Sequence, residues 1–198
     1  MARPLYKSFL LLTRTLHIYF AMLVLVLLVF FSFTGFIMNH PEWFNIDNPI
    51  SHDSQISLPT SVAADHSPDH KLNLVEYLRS HNSARGEVTS FDEQDDSTRI
   101  QFTGPGRKIE FAISPADGET QVHEEIHNTL ALLSDLHKGT GSGPAWRRFI
   151  DATSILLCFA SFSGLVLWTA LPKRRTLGLI ALTVSSALCL ACYLWLVP

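Results

Sequence analysis

Between Arg14 and Glu42 lie 27 residues without a single Asp, Glu, Lys or Arg. As a helix rising 1.5 Å per residue that run is about 40 Å long, more than the hydrocarbon core of a bilayer requires. A chain carrying such a segment must cross a membrane. Two further stretches repeat the pattern: 21 uncharged residues separate Asp151 from Lys173, and 23 follow Arg175 to the C-terminus. Three transmembrane helices are therefore predicted, with one polar segment, 41 to 148, between the first and second. The first run is too long for a secretory signal, and Phe36-Ile37-Met38-Asn39-His40 offers no small-x-small cleavage site, so it is expected to be retained.

Arg3, Lys7 and Arg14 precede the first span, and Lys173, Arg174 and Arg175 separate the second from the third. By the positive-inside rule both clusters belong to the cytoplasm, which puts the N-terminus inside and the polar segment outside. Arg147 and Arg148, at the other end of span two, run against that orientation. Trp43, Trp146, Trp168 and Trp195 all fall at span ends, where interfacial aromatics belong. Residues 41 to 148 hold 17 acidic and 9 basic side chains. That acidic balance excludes nucleic acid as a partner, because affinity for it rests on basic charge. Cys158, Cys189 and Cys192 all lie in spans, so no disulfide framework is expected. The Cys189/Cys192 C-x-x-C spacing reads as helix packing.

Within the polar segment, Pro41, Pro49, Pro59 and Pro68 punctuate a stretch without periodicity, read as a linker over 41–68. Leu72, Leu74, Val75 and Leu78 recur at helical spacing behind Ser67-Pro68, predicting a capped helix over 69–82. Val88 to Phe91, Ile100 with Phe102, and Ile109 with Phe111 and Ile113 alternate apolar with polar. Asp95-Asp96-Ser97 and Gly104-Pro105-Gly106 supply the turns between three antiparallel strands. Thr120 to Val122 suits a fourth strand, and helical spacing returns from His123 through Ile126, Leu130, Leu133 and Leu136. The expected organisation is a transmembrane helix over 1–40, the linker, a small α+β domain with an amphipathic helix over 69–138, and transmembrane helices over 139–172 and 173–198. A core that small is marginal by itself and calls for packing on another element.

The first two spans share an internal echo: Ser32-Phe33-Thr34-Gly35-Phe36-Ile37 against Ser161-Phe162-Ser163-Gly164-Leu165-Val166. The spans run in opposite directions, so the copies are expected at opposite membrane faces. Close packing of helices through small residues is the plain reading of such steps.

Nine histidines supply the candidate chemistry. His52, His66, His70 and His81 fall in linker or on helix surface and are expected to be solvated. His123-Glu124-Glu125-Ile126-His127 has the form H-E-x-x-H, which on a helix places two imidazoles on one face for zinc and a Glu to activate water. An amphipathic surface helix is the plainer alternative. His40 and His137 are each expected at the outer mouth of a span, where neutral imidazoles on facing helices are the usual axial ligands of a b-type haem. Equally, Asn39-His40-Pro41 could cap a helix and His137 could hydrogen-bond across an interface. His17 lies 23 residues before His40, about 35 Å along a helix, so the two cannot share a metal. No other histidine is expected at its depth; a second copy of the chain, another membrane subunit, a quinol or a propionate would have to partner it.

Leu16-His17, Thr34-Gly35, Asn39-His40-Pro41-Glu42-Trp43, Leu136-His137-Lys138-Gly139, Phe149-Ile150-Asp151 and Ser163-Gly164-Leu165-Val166-Leu167-Trp168 together resemble the PepSY-associated transmembrane helix family, in its short three-span branch. The resemblance covers nearly the whole chain, and residues 72 to 122 look like a PepSY domain. It implies a bacterial inner-membrane protein with a periplasmic α+β domain. It also implies haem b held through His17, His40 and His137, and electron transfer to an extracytoplasmic acceptor or flavoprotein linked to iron or siderophore reduction. Two departures stand out: related reductases have more spans, and the D-G-x-[ST]-G-A-[ST] pattern of covalently attached flavin is missing. The alternative is a non-catalytic PepSY module, anchored by its spans, that binds or regulates a protein partner.

Overall fold

A computed structural model describes residues 2–63, 67, 69–94 and 97–197. His66, Pro68 and the Asp95-Asp96 turn lie outside the described residues. The element order begins with helix α1 (Ala2–Asn39), short α2 (Pro41–Phe44), strand β1 (Ile50–Ser57), α3 (Thr60–Ala63) and α4 (His70–His81). It continues with strands β2 (Glu87–Gln94), β3 (Ser97–Gly104), β4 (Arg107–Ile113) and β5 (Glu119–Ile126), then α5 (Thr129–Lys138), α6 (Gly143–Thr169) and α7 (Arg175–Leu196). Three segments, Leu5–Asn39, Gly143–Thr169 and Pro172–Leu196, are long and apolar enough to cross a bilayer. The chain is thus a membrane helical protein with a small α+β domain between its first and second spans.

Two compact units divide the chain: residues 1–28 with 152–198, and residues 29–151. The second holds the sheet, antiparallel throughout, in the order β1-β5-β4-β3-β2. Its core follows from alternation. Thr98, Ile100 and Phe102 of β3 pair across the ladder with Ile113, Phe111 and Ile109 of β4, and all six are buried. The Phe102 and Phe111 rings meet edge to face at 5.7 Å. Each such side chain is worth about 1.5–3 kcal/mol on burial.

Helix α4 closes this core with Leu74 and Leu78, both fully buried. The buried stripe runs 70, 74, 78, so it carries His70 inward at 7% exposure and leaves Leu72 62% exposed. The expectation of a solvated His70 is corrected accordingly: spacing by four places it on the face of the two leucines.

Two further expectations change. Residues 50–57 form a strand inside the expected linker, pairing along their full length with β5. Their side chains are exposed apart from Ile56, so no apolar alternation announces the strand, and backbone pairing holds it. Residues 123–126 belong to β5 rather than to a helix; His123 pairs with Glu110 on one side and Asp53 on the other. The helix starts only at Thr129, after Asn128 accepts the Ala131 amide at 2.9 Å.

Candidate histidine sites in the two units

In the 29–151 unit the site is built where the last turns of α1 meet the end of α5. Gly139 takes the left-handed conformation (φ 75°) that terminates α5, and its amide returns to the Asp135 carbonyl. The Asp135 carboxylate accepts the Gly106 amide at 2.9 Å, and Trp146 Nε1 donates to the Leu136 carbonyl at 2.8 Å. These ties set the position of His137. Its Nδ1 stands 2.6 Å from Thr34 Oγ1, which is fully buried. Thr34 in turn donates its hydroxyl proton to the Phe30 carbonyl at 2.8 Å, the usual back-bond of a helical threonine. A hydroxyl has one proton. With that proton on its own helix, Thr34 would accept from His137, an arrangement that calls for the Nδ1–H tautomer and leaves the Nε2 lone pair free. Gly35 admits the ring edge, Cε1 lying 3.7 Å from where a Cβ would stand, and Phe31 meets the ring edge to face at 5.0 Å. Burial holds the His137 pKa below its ordinary value, favouring the neutral ring.

His40 sits differently. Its ring stacks on Trp43 at 4.1 Å and meets Phe36 at a tilt of 55°, 4.7 Å between centroids. Among the described residues no hydrogen bond or ring contact joins His40 to His137.

The unit of residues 1–28 and 152–198 repeats the arrangement. His17 Nδ1 lies 2.9 Å from Ser163 Oγ, whose proton goes to the Ala160 carbonyl at 3.0 Å. Ser163 is buried at 6% exposure. A Cβ added to Gly164 would stand 3.1 Å from His17 Cε1, and Phe20 packs edge to face on Phe159 nearby at 4.9 Å. A cavity of about 340 Å³ opens beside Ser163, lined by Phe9, Leu12, Leu16 and Phe162.

Residues 11–198 match the model of the family described as PepSY_TM-like. The chain belongs to this family. No curated protein matches it. The crystal structure of YER067W is similar over 50% of this chain and 88% of its own, at 16% identity and a TM-score of 0.30, a likeness that carries no argument.

For this PepSY_TM-like protein the echo between spans is more than packing, since both copies put a hydroxyl and a glycine against an imidazole. The hydrogen-bond partner of His17 Nδ1 is a serine of the same chain, a contact the sequence reading did not anticipate. The signal was present as two Ser/Thr-Gly steps and two histidines, but only the fold says which faces which.

The residues fit a haem iron in one respect and leave another open. Axial imidazoles bind through one nitrogen while the other donates a hydrogen bond that fixes the ring. His17 and His137 both have that second bond, and neither Nε2 has a partner among the described residues. Among the described residues no hydrogen bond or ring contact joins any two of His17, His40 and His137, and no three His, Cys, Asp or Glu gather into a metal site. His17 in one unit and His137 in the other thus each leave one ring nitrogen that could bind iron.

The helical zinc arrangement is not formed. In a strand, residues four apart are separated by about 13 Å, against about 6 Å on a helix. His123 Nδ1 is held by Asp53 Oδ1 at 2.6 Å, and His127 Nδ1 by the Ile46 carbonyl at 3.2 Å. Glu124, which would have to activate water, is ion-paired with Arg107. Hydrogen bonding to Asp53, with Glu125 adding to it, raises the His123 pKa.

Proposed function

We propose that the protein is a bacterial inner-membrane subunit that binds haem b and carries electrons to an extracytoplasmic acceptor. The observation that carries this reading is a duplicated contact: in each unit a helix hydroxyl lies within hydrogen-bond distance of a histidine Nδ1, and Nε2 has no partner among the described residues. His137 and His17 are the proposed axial ligands. His40, stacked on Trp43, is the remaining candidate.

Bound haem would supply one-electron chemistry through its iron. The work of the chain would be to fix the ring planes and to set apolar side chains against the rings. Phe31 beside His137 serves that last role. Thr34 and Ser163 act as positioning residues, orienting the rings without touching iron. Any further ligand to the iron would come from His40, a second copy of the chain or another membrane subunit. Placement of the N-terminus in the cytoplasm and the sheet domain in the periplasm follows the basic clusters. Arg147 and Arg148 are the features that run against it. An iron chelate or a flavoprotein is the proposed class of acceptor.

The test is a reduced-minus-oxidised spectrum of the purified full-length chain after haemin addition. Wild type should show a b-type α-band; His17→Ala and His137→Ala should each remove part of it and their combination all of it. Selective loss in His40→Ala in place of His137→Ala would reassign that ligand. No band in wild type, or a full band in the double variant, overturns the reading and leaves the histidines as polar contacts between helices.

A further inference from the structure

The unit of residues 1–28 and 152–198 contains no Asp or Glu, yet it carries Arg3, Lys7, Arg14, Lys173, Arg174 and Arg175. Those six cations have no acidic side chain within their own unit to pair with. Two of them frame a cavity. Lys7 and Arg14 are seven residues apart on α1, two turns and hence one face, with Leu10 and Leu11 between them. Leu167, Ala170 and Leu171, where α6 ends, close the other side around about 650 Å³, a volume in the range that holds small-molecule ligands. Neither Lys7 nor Arg14 makes an ion pair among the described residues. Arg175 is occupied otherwise, its Nε donating to the Thr169 carbonyl at 2.7 Å.

An apolar cavity between two unpaired cations, on a unit with no acid, fits an amphiphile with an anionic head and hydrocarbon tails. We propose that this cavity is a binding site for an anionic phospholipid of the leaflet that faces the N-terminus, its phosphate between Lys7 and Arg14 and its acyl chains against Leu11 and Leu171. The site is independent of the haem reading. Its chemistry differs from the general attraction of basic loops for a charged surface, because the cavity selects the tails as well as the head.

The experiment is native mass spectrometry of the full chain, produced without haem and released from nanodiscs holding equal phosphatidylglycerol and phosphatidylcholine of the same acyl chains. Wild type should retain phosphatidylglycerol preferentially. Lys7→Gln and Arg14→Gln should each lower that preference about fivefold, as expected for about 1 kcal/mol per basic residue at an anionic surface. Lys7→Arg should preserve it, which separates loss of charge from loss of fold. Equal retention of the two lipids overturns the proposal. So does an equal effect from Lys173→Gln, which would mean surface potential alone, or displacement of the lipid by inorganic phosphate, which would mean a site for the free anion. Preference that appears only after haemin addition would assign the cations to haem propionates and overturn it as well.

Discussion

The two glycines of the echoed motif should respond unequally to the same substitution. In Gly164→Ala the new methyl would lie 3.1 Å from His17 Cε1 and 3.8 Å from each ring nitrogen. Carbon atoms rest about 3.5–4.0 Å apart, so the ring must retreat by about 0.4 Å or more. A retreat along the hydrogen bond would stretch His17 Nδ1 to Ser163 from 2.9 Å to about 3.3 Å, past the usual limit near 3.2 Å for such bonds. In Gly35→Ala the methyl would lie 3.7 Å from His137 Cε1, an ordinary contact that asks nothing of the ring. Overall stability is a poor readout. An interhelical hydrogen bond in a membrane is worth about 0.6 kcal/mol on average, while replacing a helical Gly by Ala returns up to about 1 kcal/mol. The ring nitrogens report directly. With ¹⁵N-histidine-labelled protein in nanodiscs, Gly164→Ala should shift the His17 ring resonances and weaken its Nδ1–H signal while His137 stays unchanged. Gly35→Ala should move neither. A His137 shift in Gly35→Ala as large as the His17 shift in Gly164→Ala would refute the reasoning, and so would an unmoved His17 in Gly164→Ala.

Thr34→Val keeps shape but removes the acceptor of His137, and should destabilise the protein by about 1 kcal/mol in detergent unfolding, with Thr34→Ser close to wild type. Equal losses in the two would mean that the methyl rather than the hydroxyl matters. For His123 the folded pKa is raised above its ordinary 6.5 by Asp53. The contribution to holding β1 is therefore complete below 6.5 and fades as pH climbs through the raised value. Hydrogen exchange of the β1 amides, corrected for the intrinsic pH dependence, should show protection falling above 6.5 in wild type and no such step in Asp53→Asn.

What the sequence disclosed depended on whether side-chain burial or backbone pairing does the holding. Absence of charge over 15–41 and alternation in 98–113 are written in side chains, because lipid and core select for them, and both read correctly. Strand β1 buries little beyond Ile56; its eight residues are held by the ladder to β5, which polar side chains neither require nor reveal. At His123 the helical spacing of Ile126, Leu130 and Leu133 is genuine, but the first of these ends a strand. Asn128, whose side chain caps the helix, was the boundary to find. In α4 the choice between a 72/75/78 and a 70/74/78 stripe cannot be made from hydrophobicity when one member is histidine.

The paired histidines pose a sharper question of chemistry. If glycine notches served only to bring helices together, an alanine or leucine side chain would fill them without any polar cost. An imidazole brings two nitrogens that must each be satisfied away from water. In both units the hydroxyl settles Nδ1 alone. The buried side-chain atoms lacking a partner among the described residues are His70 Nδ1 and Asn82 Oδ1, so the Nε2 atoms of His17 and His137 instead reach the surface of their units. At His137, outside the spans, water can meet that atom. His17 lies inside the span Leu5–Asn39, one turn past Arg14; where acyl chains surround its Nε2 they offer no donor, and an unmet polar group costs about 1–3 kcal/mol. A donor or a metal at Nε2 removes that cost. Of the two rings, His17 therefore makes the stronger demand for a ligand, and His17→Ala is the variant in which the haem reading is most exposed to failure.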